Sequence, residues 1–215
     1  MSFKELIDRL TDAFTLQLAA TGDWHTSEPV SDDLVTGDAP LERLTGLILQ
    51  NHWENFQLWH VEDDARMVDV DAEVIADCKR RIDKLNQRRN DLIERMDECL
   101  VAVIVPLLPA DVQDRYNTET VGSAVDRLSI NSLKIFHMDE QVTRGDVDDK
   151  HKQTCRRRAE VLREQRTDLI RSLFELLEEY QQGRKRPKVY FQFKMYNDPT
   201  LNPSLYASGK ASAKG

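Results

Sequence analysis

Apolar residues recur at helical spacing through most of the chain, and the breaks in that recurrence divide it into five helical stretches and a tail. Phe3, Leu6, Ile7, Leu10, Ala13, Phe14 and Leu18 share one face and predict a short helix over 3–19. Thr21 to Asp38, rich in Gly, Ser, Thr, Asp and Pro, reads as a loop. Pro40 suits the first turn of a second helix running to about Met67, with Asp38 or Ala39 near its cap. Asp69-Val70-Asp71 then offers a stop and a restart for a third, about Ala72 to Val105. Pro106 and Pro109 end it. A fourth helix is expected over about Thr118 to Arg144, ended by Gly145, and a fifth, capped by Asp146 or Asp148, to about Gln182 before Gly183.

The last four stretches carry an echo. Shifted by 77 positions, His60 falls on His137, Trp59 on Phe136, Asp69-Val70-Asp71 on Asp146-Val147-Asp148, Cys78 on Cys155 and Arg89 on Arg166. About a third of positions from Leu58 to Ile93 are identical to their partners, the mark of an internal repeat. The expected fold class is therefore all-α: a four-helix bundle built from two duplicated helical hairpins (about 41–105 and 118–182), with a short N-terminal helix and an extended C-terminal tail.

That tail differs in kind from the bundle at 1–183. Val189, Phe191, Phe193 and Met195 alternate with Tyr190, Gln192, Lys194 and Tyr196, a period of two. One strand cannot make a sheet, so the segment either lies across the bundle or pairs with another subunit, the expected route to a homo-oligomer. The turn formers of Asn197 to Pro203 follow, and Ala207 to Gly215 is expected to be disordered.

Charge narrows the partners. The net charge of -8 combines about +6 from Arg184 onward with about -14 on residues 1–183, and so acidic a body argues against nucleic acid. The longest apolar run, Leu100 to Leu108, contains Pro106 and is too short for a bilayer, which argues against a membrane. The N-terminus has no hydrophobic signal core, so a cytoplasmic location is expected. Cys78, Cys99 and Cys155 stand at no metal-ligand spacing and read as buried thiols in a reducing compartment.

Candidate chemistry lies where the inner stripes are interrupted. His52, His60, Asp63 and Arg66 share a face with Ile48, Phe56 and Trp59, while His137, Glu140 and Arg144 lie on the same side of the corresponding helix in the second half. Arg89 and Arg166 fall on the inner faces of the remaining helices. A charge there needs a partner, and three readings supply one. Asp63 and Glu140 pair structurally with Arg89 and Arg166, in an assembly or scaffold protein. Alternatively His60-x-x-Asp63 and His137-x-x-Glu140 hold a metal in a bundle enzyme, which the two arginines oppose. Or the arginines hold a small anion between the hairpins.

The third is the favoured expectation, with catalysis left open. His60, Asp63, His137 and Glu140 are then the acid–base candidates. His52, Asn55, Trp59, Arg66, Arg89, Arg144, Arg166, Lys194 and Asn197 are the ligand-binding candidates, with no metal ligand assigned and the cofactor unknown. Asn51, His52 and Trp53 have no like partner among Leu128, Ser129 and Ile130, and that asymmetry is where function is expected. Trp24, His25 and Trp53 are expected to pack the loop on the bundle, and Lys79-Arg80-Arg81 and Arg156-Arg157-Arg158 to be solvated faces. No phosphate-binding glycine loop, nucleophile elbow, HExxH or CxxC is present.

Four blocks, NHWENFQLWHVEDDAR, LNQRRNDLIERMD, RLSINSLKIFHMDEQ and KMYNDPTLNPSLY, resemble a bacterial family known as domain of unknown function 4254. The resemblance covers about Leu41 to Tyr206. It implies a bacterial, soluble, mostly helical protein, and it carries no activity and no catalytic residue.

Overall fold

The computed structural model describes residues 2–29, 34–193 and 200–203. Among them are five α-helices, α1 (Phe3–Trp24), α2 (Pro40–Asp64), α3 (Ala72–Ile104), α4 (Val121–Thr143) and α5 (Asp149–Gln181), with a 3-10 turn at Val105–Leu107. No strand is present among the described residues, so the all-α expectation holds. Local chemistry accounts for most ends. Ser2 and Glu5 form a capping box at the start of α1, Pro40 opens α2, Thr120 caps α4, and Asp148 rather than Asp146 caps α5. Asp69, in the left-handed region at φ 64°, turns the chain between α2 and α3.

α1 is longer than its sequence pattern predicts. Thr21, Gly22 and Asp23 are poor helix formers, which is why they read as loop. Tertiary contacts override that preference, because Gln17 and Thr21 are buried against the bundle and the Thr21 hydroxyl donates to the Gln17 carbonyl at 2.9 Å. Leu6, Leu10 and Ala13 are fully enclosed, in one cluster with Leu44, Leu47, Met96, Leu128 and Leu177. The N-terminal helix is thus a full member of the bundle.

The helices form two antiparallel hairpins, α2–α3 and α4–α5. α2 and α4 lie side by side and run the same way: Asn51 meets Asp126, His52 meets Ser129, and Trp59 stacks on His137 further along. α1 runs parallel to both, with Thr21 at His52 and His25 at His60 and Phe136. Two of these contacts, His52–Ser129 and His60–His137, join residues 77 apart.

A polar layer sets this register. The Thr21 hydroxyl, already donating to Gln17, accepts from His52 Nε2 at 2.9 Å, so His52 Nδ1 must accept from the Ser129 hydroxyl at 2.8 Å. Ser129 Oγ in turn accepts from Asn55, and Asn51 and Asn55 both donate to Asp126. His52 is fully buried and neutral: burial, aided by the Arg166 cation, pulls its pKa from about 6.5 to about 3. At the opposite end, the Gly122 amide donates to Asp97 at 2.8 Å. A Cβ on Gly122 would stand 2.8 Å from both Asp97 Oδ1 and the Ile93 carbonyl, so only glycine lets α4 come this close to α3.

Gly183, at φ 69°, ends α5, and the chain then crosses the α3–α4 connection in extended form. The Arg186 amide donates to the Arg115 carbonyl, Lys188 lies over the Tyr116 ring, and the Gln192 amide reaches Glu94. Residues 184–192 therefore pack on their own bundle. Phe191 and Phe193, 50% and 79% exposed, touch each other with ring centroids 5.7 Å apart.

His52 and Asp97 set opposing pH dependences. With its folded pKa depressed, His52 contributes stability present above pH 6.5 and lost as pH falls toward 3. Burial raises Asp97 from 3.8 to about 6, so its contribution is lost as pH rises through that range. Urea unfolding between pH 4 and 6 should show less acid loss for His52→Gln than for the unsubstituted chain, and more for Asp97→Asn. Each difference should be about 2 kcal/mol across the window; three parallel curves would refute the assignment.

Candidate functional site

The sequence-predicted residues separate into three places. His52 and Asn55 belong to the buried polar layer, where both His52 nitrogens are already engaged. Arg89 and Arg166 lie at the same layer rather than beside Asp63 and Glu140. Arg89 Nε stands 3.4 Å from Asp126 Oδ1. Arg166 has no acid partner among the described residues: its guanidinium donates to the carbonyls of Phe14 and Leu128 and to the Ser132 hydroxyl, and burial lowers its pKa to about 10. Arg66 pairs with Glu62, and Arg144 with Asp146, on the exposed surface. The four arginines therefore do not converge, because Arg66 and Arg144 pair with acids near them in sequence, Arg89 faces Asp126 of α4, and Arg166 spans helix backbones. Lys194 and Asn197 lie outside the described residues.

His60 and His137 do come together, and His25 joins them. Each offers one ring nitrogen lying within 4.8 Å of the others. Parallel packing causes this, since α1, α2 and α4 end on the same side of the bundle. His25 is the C-cap of α1, and His60 and His137 lie within the last two turns of α2 and α4. Phe136 stacks on His25 at 4.1 Å and Trp59 on His137 at 4.6 Å, while Phe56 meets His25 and His60 edge-on. Trp24, the last residue of α1, and Trp53 form the aromatic layer below with Leu34, whereas His25, expected to pack the loop with them, lies in the histidine cluster.

Hydrogen bonds orient two of the three rings. His25 Nδ1 donates to the Thr21 carbonyl at 2.6 Å, and His137 Nδ1 lies 2.8 Å from Glu140 Oε2. Both therefore present Nε2, which is shielded from solvent and has no hydrogen-bond partner among the described residues. Burial lowers the pKa of His60, with His25 and His137 adding to the effect and Asp63 and Glu28 opposing it. Burial also lowers that of His137, against the pull of Glu140 and Asp63. Both shifts favour the neutral ring at His60 and His137.

His137 also borders an open groove of about 860 Å³ between the hairpins. Trp59 and Asp63 of α2, Lys134 and Met138 of α4, and Arg157, Arg158, Val161 and Leu162 of α5 line it. Lys134, Arg157 and Arg158 have no carboxylate partner among the described residues. From the sequence, Arg157 and Arg158 read as a solvated face and His25 as loop packing, and Lys134 did not stand out. The apolar Val161-Leu162 one turn beyond Arg157-Arg158 was the available signal that this stretch of α5 is more than a solvated face.

Fold and site together define an all-helical bundle with a histidine cluster beside a cationic groove. The chain belongs to the family described as Protein of unknown function (DUF4254), whose model matches residues 45–189. That span contains His60, His137 and the groove, and it begins after α1 and His25. No curated protein and no solved structure matches the chain. Among the described residues, no helix is long and apolar enough to cross a membrane.

Arg166 tests the division between buried layer and groove. Arg166→Ala should lower unfolding free energy by about 2–4 kcal/mol, because three buried acceptors lose their donor, whereas Arg158→Ala should change it by less than about 0.5 kcal/mol. Chemical denaturation measures both; equal effects would show that the two arginines share one environment.

Proposed function

We propose that the protein binds a small anionic molecule in the groove between the hairpins, with Lys134, Arg157 and Arg158 as its charge partners and Trp59 as an apolar wall. The carrying observation is the grouping of three cations without carboxylate partners around a mostly apolar concavity. Guanidinium groups match carboxylate and phosphate oxygens in planar, bidentate fashion, and an apolar floor weakens the competition from water. Of the residues expected from sequence, Trp59, Asp63 and His137 line this groove. Arg66, Arg89, Arg144 and Arg166 are committed to other partners, so the binding role passes from them to cations further along α4 and α5.

The same reading includes an internal duplication and a cytoplasmic, bacterial setting. The duplication is supported by the two contacts between residues 77 apart, which a twofold relation between hairpins would bring to its axis. A structural role remains the second reading, and one observation favours it: the exposed Phe191–Phe193 pair offers an apolar contact for a second copy of the chain.

Thermal-shift screening against phosphorylated and carboxylated metabolites, followed by calorimetry on the hits, tests the anion reading. An Arg157→Ala/Arg158→Ala double variant should keep its melting temperature and lose at least about 2 kcal/mol of binding, roughly 30-fold in Kd. Hits bound equally well by the double variant, or an empty screen combined with a concentration-dependent dimer, would replace this reading with the structural one.

A further inference from the structure

From the geometry of His25, His60 and His137 we infer that the protein holds a divalent transition metal of the imidazole-preferring kind, such as zinc, at the common end of α1, α2 and α4. The first support is ligand preparation. A metal-binding histidine commonly donates its other ring N–H to a carbonyl or carboxylate, which fixes the tautomer and aims the lone pair. His25 does so to the Thr21 carbonyl and His137 to Glu140. The two Nε2 lone pairs so aimed are shielded from water and unpartnered among the described residues. Left that way they weaken the fold; a bound cation would satisfy both at once.

Electrostatics is the second support. The negative ends of three helix dipoles lie on this side, none of the three helices carries a basic residue in its last turn, and Arg144, the C-cap of α4, is paired with Asp146. Apart from the three histidines themselves, the charged side chains acting on His60 and His137 are carboxylates, namely Asp63, Glu28 and Glu140. Arg89 and Arg166, whose cations spoke against a metal while they were expected beside Asp63 and Glu140, are committed to Asp126 and to helix carbonyls at the polar layer.

Distance sets what must move. Three imidazoles on one zinc, with bonds of about 2.0–2.1 Å, bring their nitrogens to about 3.3 Å from one another. The cluster spans up to 4.8 Å, so it has to contract by roughly 1.5 Å. Ring rotation and small shifts at the α1 C-cap, where His25 leaves the helix, are enough for that. Three nitrogen ligands leave at least one coordination position, which is the arrangement of catalytic rather than structural zinc sites.

The test uses the full chain stripped of metal by chelator and titrated with zinc alone, without any anionic ligand. A long-range 1H–15N spectrum follows the five histidines of the chain. One equivalent of zinc should move the His25, His60 and His137 signals and leave those of His52 and His151 in place. A hundredfold excess over Kd should raise the melting temperature by about 5 °C or more. Glu140→Gln, which keeps all three ligands, should weaken zinc binding by about 10-fold or more, while the Arg157→Ala/Arg158→Ala variant should bind zinc normally, so failure here and failure of the groove reading are separable. Histidine signals unmoved at ten equivalents, or a response confined to His151, would overturn the inference.

Discussion

Burying a polar layer between parallel helices is the constraint on which the rest of this structure depends. His52 can lie fully enclosed only if both of its nitrogens find partners, and they find them on two different helices, Thr21 of α1 and Ser129 of α4. Moving either helix by one residue would rotate the partner hydroxyl by about 100° and strand a buried imidazole nitrogen. Asn51 and Asn55 against Asp126 repeat the condition one turn away. Leucine packing alone tolerates small slips; this hydrogen-bond chain does not.

The register so fixed has its consequence eight residues further on. His60 follows His52, and His137 follows Ser129, by the same interval of about 12 Å along parallel helices. Alignment at the polar layer therefore guarantees alignment at the histidine cluster, and α1 delivers His25 to it by the same hydrogen bond at Thr21. The asymmetry between Asn51-His52-Trp53 and Leu128-Ser129-Ile130, where function was expected, belongs instead to the scaffold. His52 and Ser129 are each other's partner.

Much of the fold was legible, and the candidate site was legible in part. Repeated apolar spacing located all five helices to within a few residues except at the end of α1, where Thr21, Gly22 and Asp23 read as loop and are held helical by contacts with other helices. His60 and His137 stood out because the 77-residue echo pairs them. His25 has no counterpart in that echo and sits among turn-forming residues, so nothing local marked it. The arginines misled for a related reason. Interior placement can be inferred from helical phase, but a long guanidinium reaches any of several partners, and here Asp126, Glu62, Asp146 and the Phe14 and Leu128 carbonyls took them.

By itself the amino-acid sequence determined the helical class, the hairpin succession, the caps and turns, and the buried face of each helix. These follow from periodicities and local hydrogen bonds that span a few residues. Tertiary structure alone decided that α1, α2 and α4 run parallel, that their C-terminal ends meet, and that Lys134, Arg157 and Arg158 border one groove. Those facts depend on which buried face meets which. Many pairings satisfy the apolar pattern, and the choice among them is made by the few polar groups that must find one another in the interior.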